Sequence, residues 1–284
     1  MTAGEWLAQA QARLEAAGDL DAACDAEWML CEATGWSRSS LRLRRSDELS
    51  EQALSIIEAW LSRRASGEPL QYALGTADFM GLRFRSDPRA LIPRPETETL
   101  CELALKRLEG KPRPHMLDLC CGTGAIGLSV AHFRPDGRVL LTDISGDALA
   151  LAKENAELLS VRNVSFAQGD LFDAAENEAF DLIACNPPYL DQADMDNLQS
   201  EVRREPALAL FGGADGLDFY RRIGSDAPRF LAPGGVLLLE VGQGQARAVR
   251  DMLASWAETA VHRDLSGIER VIEGVALTDA GKGL

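Results

Sequence analysis

From His115 onward, short runs of consecutive apolar residues alternate with amphipathic stretches, and no other feature of the sequence restricts the fold so strongly. Met116–Leu119, Arg138–Thr142, Val164–Ala167 and Phe180–Cys185 read as strands, with helices over Ala125–His132 and Asp147–Leu159 between them. A helix over Leu217–Phe230, a Pro233-Gly234-Gly235 turn, a strand at Val236–Glu240, a helix over Gln245–Trp256 and two late strands near Val261–Asp264 and Arg270–Ala276 complete the series. Short strands that are apolar throughout must be covered on both faces, and the intervening helices supply that cover. The expected fold is α/β, a doubly wound, Rossmann-like parallel sheet.

The preceding residues follow a different period. Leu49, Ala53, Ile56, Ile57, Trp60 and Leu61 share one face of a helix, which Ser46 or Asp47 is placed to cap. Trp6, Ala10 and Leu14 mark an earlier helix, and Trp28, Met29 and Ala33 another. Residues 1–70 therefore form a small helical domain, expected to recognise a protein partner. Residues 71–110 form a linker: a hairpin around Met80-Gly81, then a helix opened by Pro95 with Glu96 and Glu98 at its positive end. Gly110–Pro114 separates this from the sheet domain, 111–284.

Net charge decides between classes of partner. At −15, the chain lacks the basic stripe on which nucleic-acid affinity rests, so no direct nucleic-acid binding is expected. The basic run Leu41–Arg45 reads as a solvated face or as a contact for an acidic patch on a partner. The six cysteines contain no C-x-x-C pair and the three histidines are scattered, so no metal site is expected. No signal peptide or membrane-spanning run is seen, which predicts a cytoplasmic protein.

The turn after the first strand of the sheet reads "DLCCGTGAIG". Gly122, Gly124 and Gly127 match the dinucleotide spacing, and Asp143 ends the next strand, about 20 residues on, where it can accept ribose hydroxyls. Asp118, inside the first strand, would repel a pyrophosphate and suits a cationic ligand. S-adenosylmethionine carries an ammonium and a sulfonium and no phosphate. "GDLF" (Gly169–Phe172) offers Asp170 to an adenine amine and Leu171 and Phe172 to its ring, or else a capping acid beside a core pair.

The fourth strand runs into "NPPY". Two prolines fix the backbone and leave carbonyls that no ladder consumes. Asn186 and the carbonyl of Pro187 form a rigid pair of acceptors for the two N–H groups of a planar –NH2, with Pro188 holding the turn and Tyr189 stacking on that group or excluding water. Such a nitrogen is a poor nucleophile, because its lone pair is delocalised. Holding both protons favours rehybridisation and aims the lone pair at a methyl donor. A NAD-dependent oxidoreductase would need a hydride-transfer acid or base that is not found here. A non-catalytic binding module gives no use for Asn186.

Taken together, "IPRPETE" (Ile92–Glu98), "DLCCGTGAIG", "TDIS" (Thr142–Ser145), "GDLF", "NPPY", Glu201–Ile223 and Leu231–Gln245 resemble the release factor glutamine methyltransferases, of the HemK type. The resemblance implies methyl transfer from S-adenosylmethionine, with S-adenosylhomocysteine as product, to the glutamine of the Gly-Gly-Gln tripeptide in peptide chain release factors. It implies that Cys120, Cys121, Gly122, Thr123 and Gly124 line the methionine part of the cofactor, Asp143 the ribose, Leu171 and Phe172 the adenine, and Asn186 to Tyr189 the glutamine amide; Asp118 and Asn186 are also expected among the cofactor-binding residues. Where this chain has Cys120 and Cys121 the family usually has glycine and a small residue, so a positive φ at Cys120 would be costly. Arg94 and Glu96 either rim the substrate pocket or cap a helix. Glu201, Arg203 and Glu205 are expected to order the loop beyond the site, and Glu240 to be a structural acid near it. The same chemistry would serve a ribosomal protein glutamine or a nucleic-acid base amine.

Overall fold

The computed structural model describes residues 1–175 and 178–277. The chain divides into two compact units, Met1–Gly75 with Gln199–Arg204, and Thr76–Leu198 with Glu205–Leu284.

The first unit is helical: α1 (Ala3–Ala16), α2 (Ala22–Thr34), α3 (Arg38–Leu43), α4 (Glu51–Ala65) and α5 (Leu70–Leu74). Trp6, Leu14, Met29, Leu30, Ile57 and Leu61 fill its core. Ser50 caps α4, its hydroxyl accepting from Ala53 N at 3.1 Å, in place of the expected Ser46 or Asp47. Trp28, within α2, is partly exposed beneath the Arg38 guanidinium. The unit continues past residue 70 through α5, which ends on left-handed Gly75. Arg64 is buried among the carboxylates of Asp19, Asp25 and Glu201, at 2.9, 2.5 and 2.5 Å. Arg64 only partly offsets the burial of Asp25, whose carboxyl desolvation still pushes up to about 6.

The second unit opens with the expected hairpin, β1 (Thr76–Phe79) and β2 (Leu82–Arg85). Its turn residues Met80 and Gly81 both have positive φ, 53° and 72°, as a two-residue hairpin turn requires. The hairpin and α6 (Glu98–Arg107) belong to this unit and are not a free-standing linker. Then follow β3 (His115–Leu119), α7 (Ala125–Phe133), β4 (Arg138–Asp143), α8 (Gly146–Leu158), β5 (Val164–Gln168), β6 (Phe180–Cys185), α9 (Gln192–Asp196), α10 (Asp218–Asp226), β7 (Leu231–Glu240), α11 (Ala246–Leu253), β8 (Ala257–Arg263) and β9 (Glu269–Ala276).

The sheet order is β5-β4-β3-β6-β7-β9-β8. The first five strands are parallel, as expected. The last two are not: β9 lies antiparallel between β7 and β8. The link between β8 and β9 is a tight turn, in which Asp264 Oδ1 accepts from Ser266 N and Ile268 N, and a turn that short cannot make a parallel crossover. Strand order reverses between β3 and β6. That is the switch point at which open α/β sheets leave a crevice at the carboxyl ends of their strands. Core clusters pack on both faces of the sheet, one around Met116, Leu141, Leu182 and Leu238, the other around Leu117, Ile183, Leu237 and Ile272. No helix among the described residues is long and apolar enough to cross a membrane.

Candidate active site

The turn from β3 into α7 uses left-handed backbone three times, at Cys120 (φ 55°), Gly122 (φ 54°) and Gly124 (φ 81°). A Cβ on Gly124 would lie 2.9 Å from the Leu128 side chain and 3.2 Å from Ala152, so the turn packs against its own helix and α8. Cysteine takes the strained conformation that the sequence made costly at position 120. The turn curls around Asp143 at the tip of β4: Gly122 N–H donates to its Oδ2 and Ser145 N–H to its Oδ1, each at 2.9 Å. Burial nonetheless pushes the Asp143 carboxyl above its ordinary range, the backbone donors around it offsetting only part of the desolvation.

Asp118 stands behind this turn and not in the cavity wall. It is fully buried, and its Oδ2 accepts from Gly127 N at 2.8 Å. A Cβ at Gly127 would fall 2.7 Å from that oxygen, which explains the third glycine of the motif. Asp118 Oδ1 has no partner among the described residues, and burial pushes the carboxyl up to about 7. Its place in the middle of the turn's support, one layer back from the surface, follows from strand alternation: Leu119 and Asp118 face opposite sides of the sheet.

A cavity opens at the carboxyl ends of β3, β4, β5 and β6. Cys120, Cys121, Gly122, Thr123 and Asp143 line one part, Leu171 the next, and Asn186 and Pro188 the far part, with Arg94 and Thr97 above them. Leu171 is itself held at positive φ, 52°. Phe172 does not reach the cavity. It stacks on Phe230 (centroids 4.5 Å apart, planes at 12°) in the core, because the short helical turn at Leu171–Ala175 points consecutive side chains in different directions. Asp170 pairs with Arg222 at 2.8 Å across the rim. Pro187, Tyr189 and Glu96 lie outside the wall.

The turn after β6 is clamped from three sides. Leu190 exchanges backbone hydrogen bonds with Leu210 and Gly212, at 2.9 and 2.8 Å. Gln245 Nε2 donates to the Tyr189 carbonyl at 2.9 Å, while its Oε1 accepts from Gly242 N at 3.0 Å. A Cβ on Gly212 would sit 2.7 Å from the Pro188 carbonyl oxygen, so the clamp needs glycine there. Among the described residues no hydrogen bond takes the Pro187 carbonyl. Tyr189 is half-buried, and its phenol is pushed up to about 12 by burial and by Glu240. Asn186 Nδ2 donates to the Thr97 hydroxyl at 3.3 Å. Glu205, buried, accepts from Ile92 N at 3.0 Å and pairs with Arg94, fixing the segment that leads into α6. Thr97, Gln245 and Gly212 were not singled out from the sequence as site residues. Each lies inside a quoted motif, but their part in holding the turn depends on contacts between distant segments, which spacing does not reveal. Among the described residues, no group of three or more His, Cys, Asp or Glu side chains is arranged to hold a metal ion.

Known proteins match this chain over both units. A family model described as the PrmC N-terminal domain matches residues 5–75, and one described as the methyltransferase small domain matches residues 96–210. A release factor glutamine methyltransferase of Geobacter sulfurreducens is 42% identical over 89% of this chain and 89% of its own length. The protein of that name from Deinococcus radiodurans is 42% identical over 94% of this chain and 95% of its own. In structure, a methyltransferase from Pyrococcus furiosus shares the fold, with a TM-score of 0.52 at 15% identity over 69% of this chain and 89% of that one. Identity of this order along nearly the whole chain, through both units and the site, makes the chain a member of the release factor glutamine methyltransferase family.

Proposed function

We propose that this enzyme transfers a methyl group from S-adenosylmethionine to the side-chain amide nitrogen of glutamine in the Gly-Gly-Gln segment of peptide chain release factors. The observation that carries the reading is the shared cavity: Asn186 at the tip of β6 and the glycine turn with Asp143 at the tips of β3 and β4 line one space.

The residues fit a cationic cofactor without phosphate. Asp143 is in the wall, and behind the turn Asp118 keeps a buried carboxyl oxygen without a partner among the described residues. When bound, S-adenosylmethionine supplies an electrophilic methyl group on a sulfonium. Residues 120–124 would hold its methionine part, Asp143 its ribose hydroxyls and Leu171 its adenine face.

The chain's own contribution is to the acceptor. With Nδ2 engaged by Thr97, Asn186 has Oδ1 left to accept one amide N–H. The Pro187 carbonyl, which no hydrogen bond among the described residues engages and which lies between the two lining residues Asn186 and Pro188, would accept the other. Two rigid acceptors draw the amide nitrogen away from planarity and direct its lone pair, a contribution of preorganisation that needs no strong base. After transfer the methylated nitrogen gives up one proton to solvent, which restores a neutral amide. The clamp of Leu210, Gly212 and Gln245 keeps both acceptors in place, so little reorganisation remains at the moment of reaction.

The test is intact-mass analysis of release factors incubated with the enzyme and S-adenosylmethionine, followed by peptide mapping. One added methyl on the Gly-Gly-Gln glutamine is the expected result. No added mass, or a methyl appearing instead on a ribosomal protein or a nucleic-acid base under the same conditions, would displace this substrate.

A further inference from the structure

We infer that Asn155, on α8 behind the cavity, is a positioning residue for the cofactor: it holds the peptide between Thr123 and Gly124 in the orientation that shapes the cavity wall, and it ties the β1–β2 hairpin to that turn. The inference rests on the proposed reading of this end of the cavity as the cofactor's. Asn155 is not in the cavity wall and acts through the main chain alone.

Glycine gives the turn its left-handed bends, and the same freedom lets it leave them. With no Cβ, Gly124 takes either sign of φ at similar cost, so the peptide plane between Thr123 and Gly124 can turn over with little penalty from the backbone. Two hydrogen bonds, one at each end of that peptide, oppose this. Gly124 N–H donates to the Cys121 carbonyl at 2.7 Å. The Thr123 carbonyl accepts from Asn155 Nδ2 at 3.0 Å. Thr123 is 3% exposed and Asn155 0%, so without Asn155 the carbonyl would be left buried and unpaired.

The direction of the Asn155 amide is fixed by its partners. Oδ1 accepts from Arg85 N at 2.6 Å, and Nδ2 donates to the Arg85 carbonyl at 3.2 Å as well as to Thr123. A backbone N–H only donates and a backbone carbonyl only accepts, so the amide fits one way round. Both its N–H groups are used, one on the end of β2 and one on the turn. The same helix carries the rest of the attachment. Arg89 sets both terminal nitrogens on Glu154, at 2.7 and 3.0 Å, and Ala90 packs with Ala148 and Leu151. Ala90 is in the cavity wall, and a Cβ on Gly122 would lie 3.9 Å from it. The segment from β2 to Ala90 thus runs across α8 onto the turn, and Asn155 is the point where hairpin, helix and turn meet. The hairpin, which the methyl transfer itself does not use, gains a part in the site: it braces the residue that braces the turn.

The same domain offers a control of matching construction. Asn163 Nδ2 donates to the carbonyls of Ala131, Arg134 and Gly137, at 3.1, 3.1 and 3.0 Å, at the amino ends of β4 and β5, away from the cavity. Full-length Asn155→Ala and Asn163→Ala are compared at a temperature where urea unfolding shows both to be folded. Asn155→Ala should bind S-adenosylhomocysteine about 10-fold more weakly by calorimetry and raise KM for the methyl donor to match, while kcat at saturating donor and KM for a Gly-Gly-Gln peptide stay within about twofold. In the cofactor-free protein the Gly124 amide should exchange its hydrogen about 10-fold faster than in the wild type. Asn163→Ala should move neither readout by more than about twofold. Should Asn155→Ala not fold, Asn155→Ser, which keeps a donor in the space, undergoes the same comparison, with a loss of affinity of about 3–10-fold expected. Equal affinity in the wild type and the Asn155 variant, or an equal loss in Asn163→Ala, overturns this inference alone. A wild type that does not bind S-adenosylhomocysteine overturns the reading of the cavity as a cofactor site and this inference with it.

Discussion

At the glycine-turn end of the cavity the chain presents backbone, bent into left-handed conformations at residues 120, 122 and 124 and tied to Asp143 by N–H groups. At the Asn186 end it presents side chains and carbonyls held by other side chains: Thr97 on Asn186, Gln245 on the Tyr189 carbonyl, Glu205 on Arg94. The first construction depends on where the main chain goes. It admits any side chain that tolerates the path, and so cysteines stand at 120 and 121. The second depends on donor and acceptor identity at each atom, which a substitution changes at once. A cofactor common to many methyltransferases needs only the first kind of site, whereas choosing one unreactive amide among all those in a cell needs the second.

The contrast is broken most severely at Asn186. Asn186→Ala removes an acceptor that no neighbour can replace and should lower kcat by about 10²–10³-fold. Cofactor affinity, measured by calorimetry on the same preparation, should not change by more than about twofold. A normal rate from this variant would show that the Pro187 carbonyl suffices, and the division of labour between the two ends would fail.

A smaller effect of the opposite kind is expected at Asp143. Asp143→Ala leaves Gly122 N and Ser145 N without their shared acceptor and removes the partner assigned to the ribose. Cofactor affinity should weaken by about 10–100-fold, as loss of hydrogen bonds to a charged group does. At saturating cofactor kcat should recover to near the wild-type value, because nothing at the acceptor end has moved. Unchanged cofactor affinity would contradict the ribose assignment.

The same division explains what could be read from the sequence. Backbone-built parts leave local signatures. The glycine spacing, the acid at the next strand tip and the two prolines announced the strand-end turns and their order around the sheet. The apolar runs gave β3 to β6 nearly to the residue, but only the second half of β7, which begins at Leu231 and takes in the Pro233-Gly234-Gly235 expected as a turn. Parts built from distant side chains leave none. Phe172 reads as a ring for adenine until the turn at Leu171–Ala175 sends it onto Phe230. Asp118 reads as a ligand until strand alternation puts it behind the turn under Gly127. Thr97 is one residue in "PRPETE", and its proximity to Asn186 joins positions 89 residues apart. The antiparallel edge is hidden for a related reason: the parallel pattern of the preceding strands reads on through β8 and β9, although the short turn through Ser266 and Gly267 forbids a crossover.

The finest distinction lies at Cys120, where the usual glycine is absent yet φ is 55°. A non-glycine residue in the left-handed region costs roughly 1–2 kcal/mol, so Cys120→Gly relieves strain in the folded state. The same change gives the unfolded chain more freedom, about 0.5–1 kcal/mol of opposing effect. It also removes a half-buried thiol that lines the cavity and packs beside the second core cluster. These terms nearly cancel, so stability measured by urea unfolding should shift by less than about 1 kcal/mol, and cofactor affinity by less than about twofold. Cys120→Val tests the same backbone from the other side. A β-branched side chain tolerates positive φ poorly and should destabilise by about 1–3 kcal/mol while weakening cofactor binding. If glycine proved the more damaging of the two, the thiol and not the path of the main chain would be what this end of the site requires, and the contrast between the two ends would narrow to one of degree.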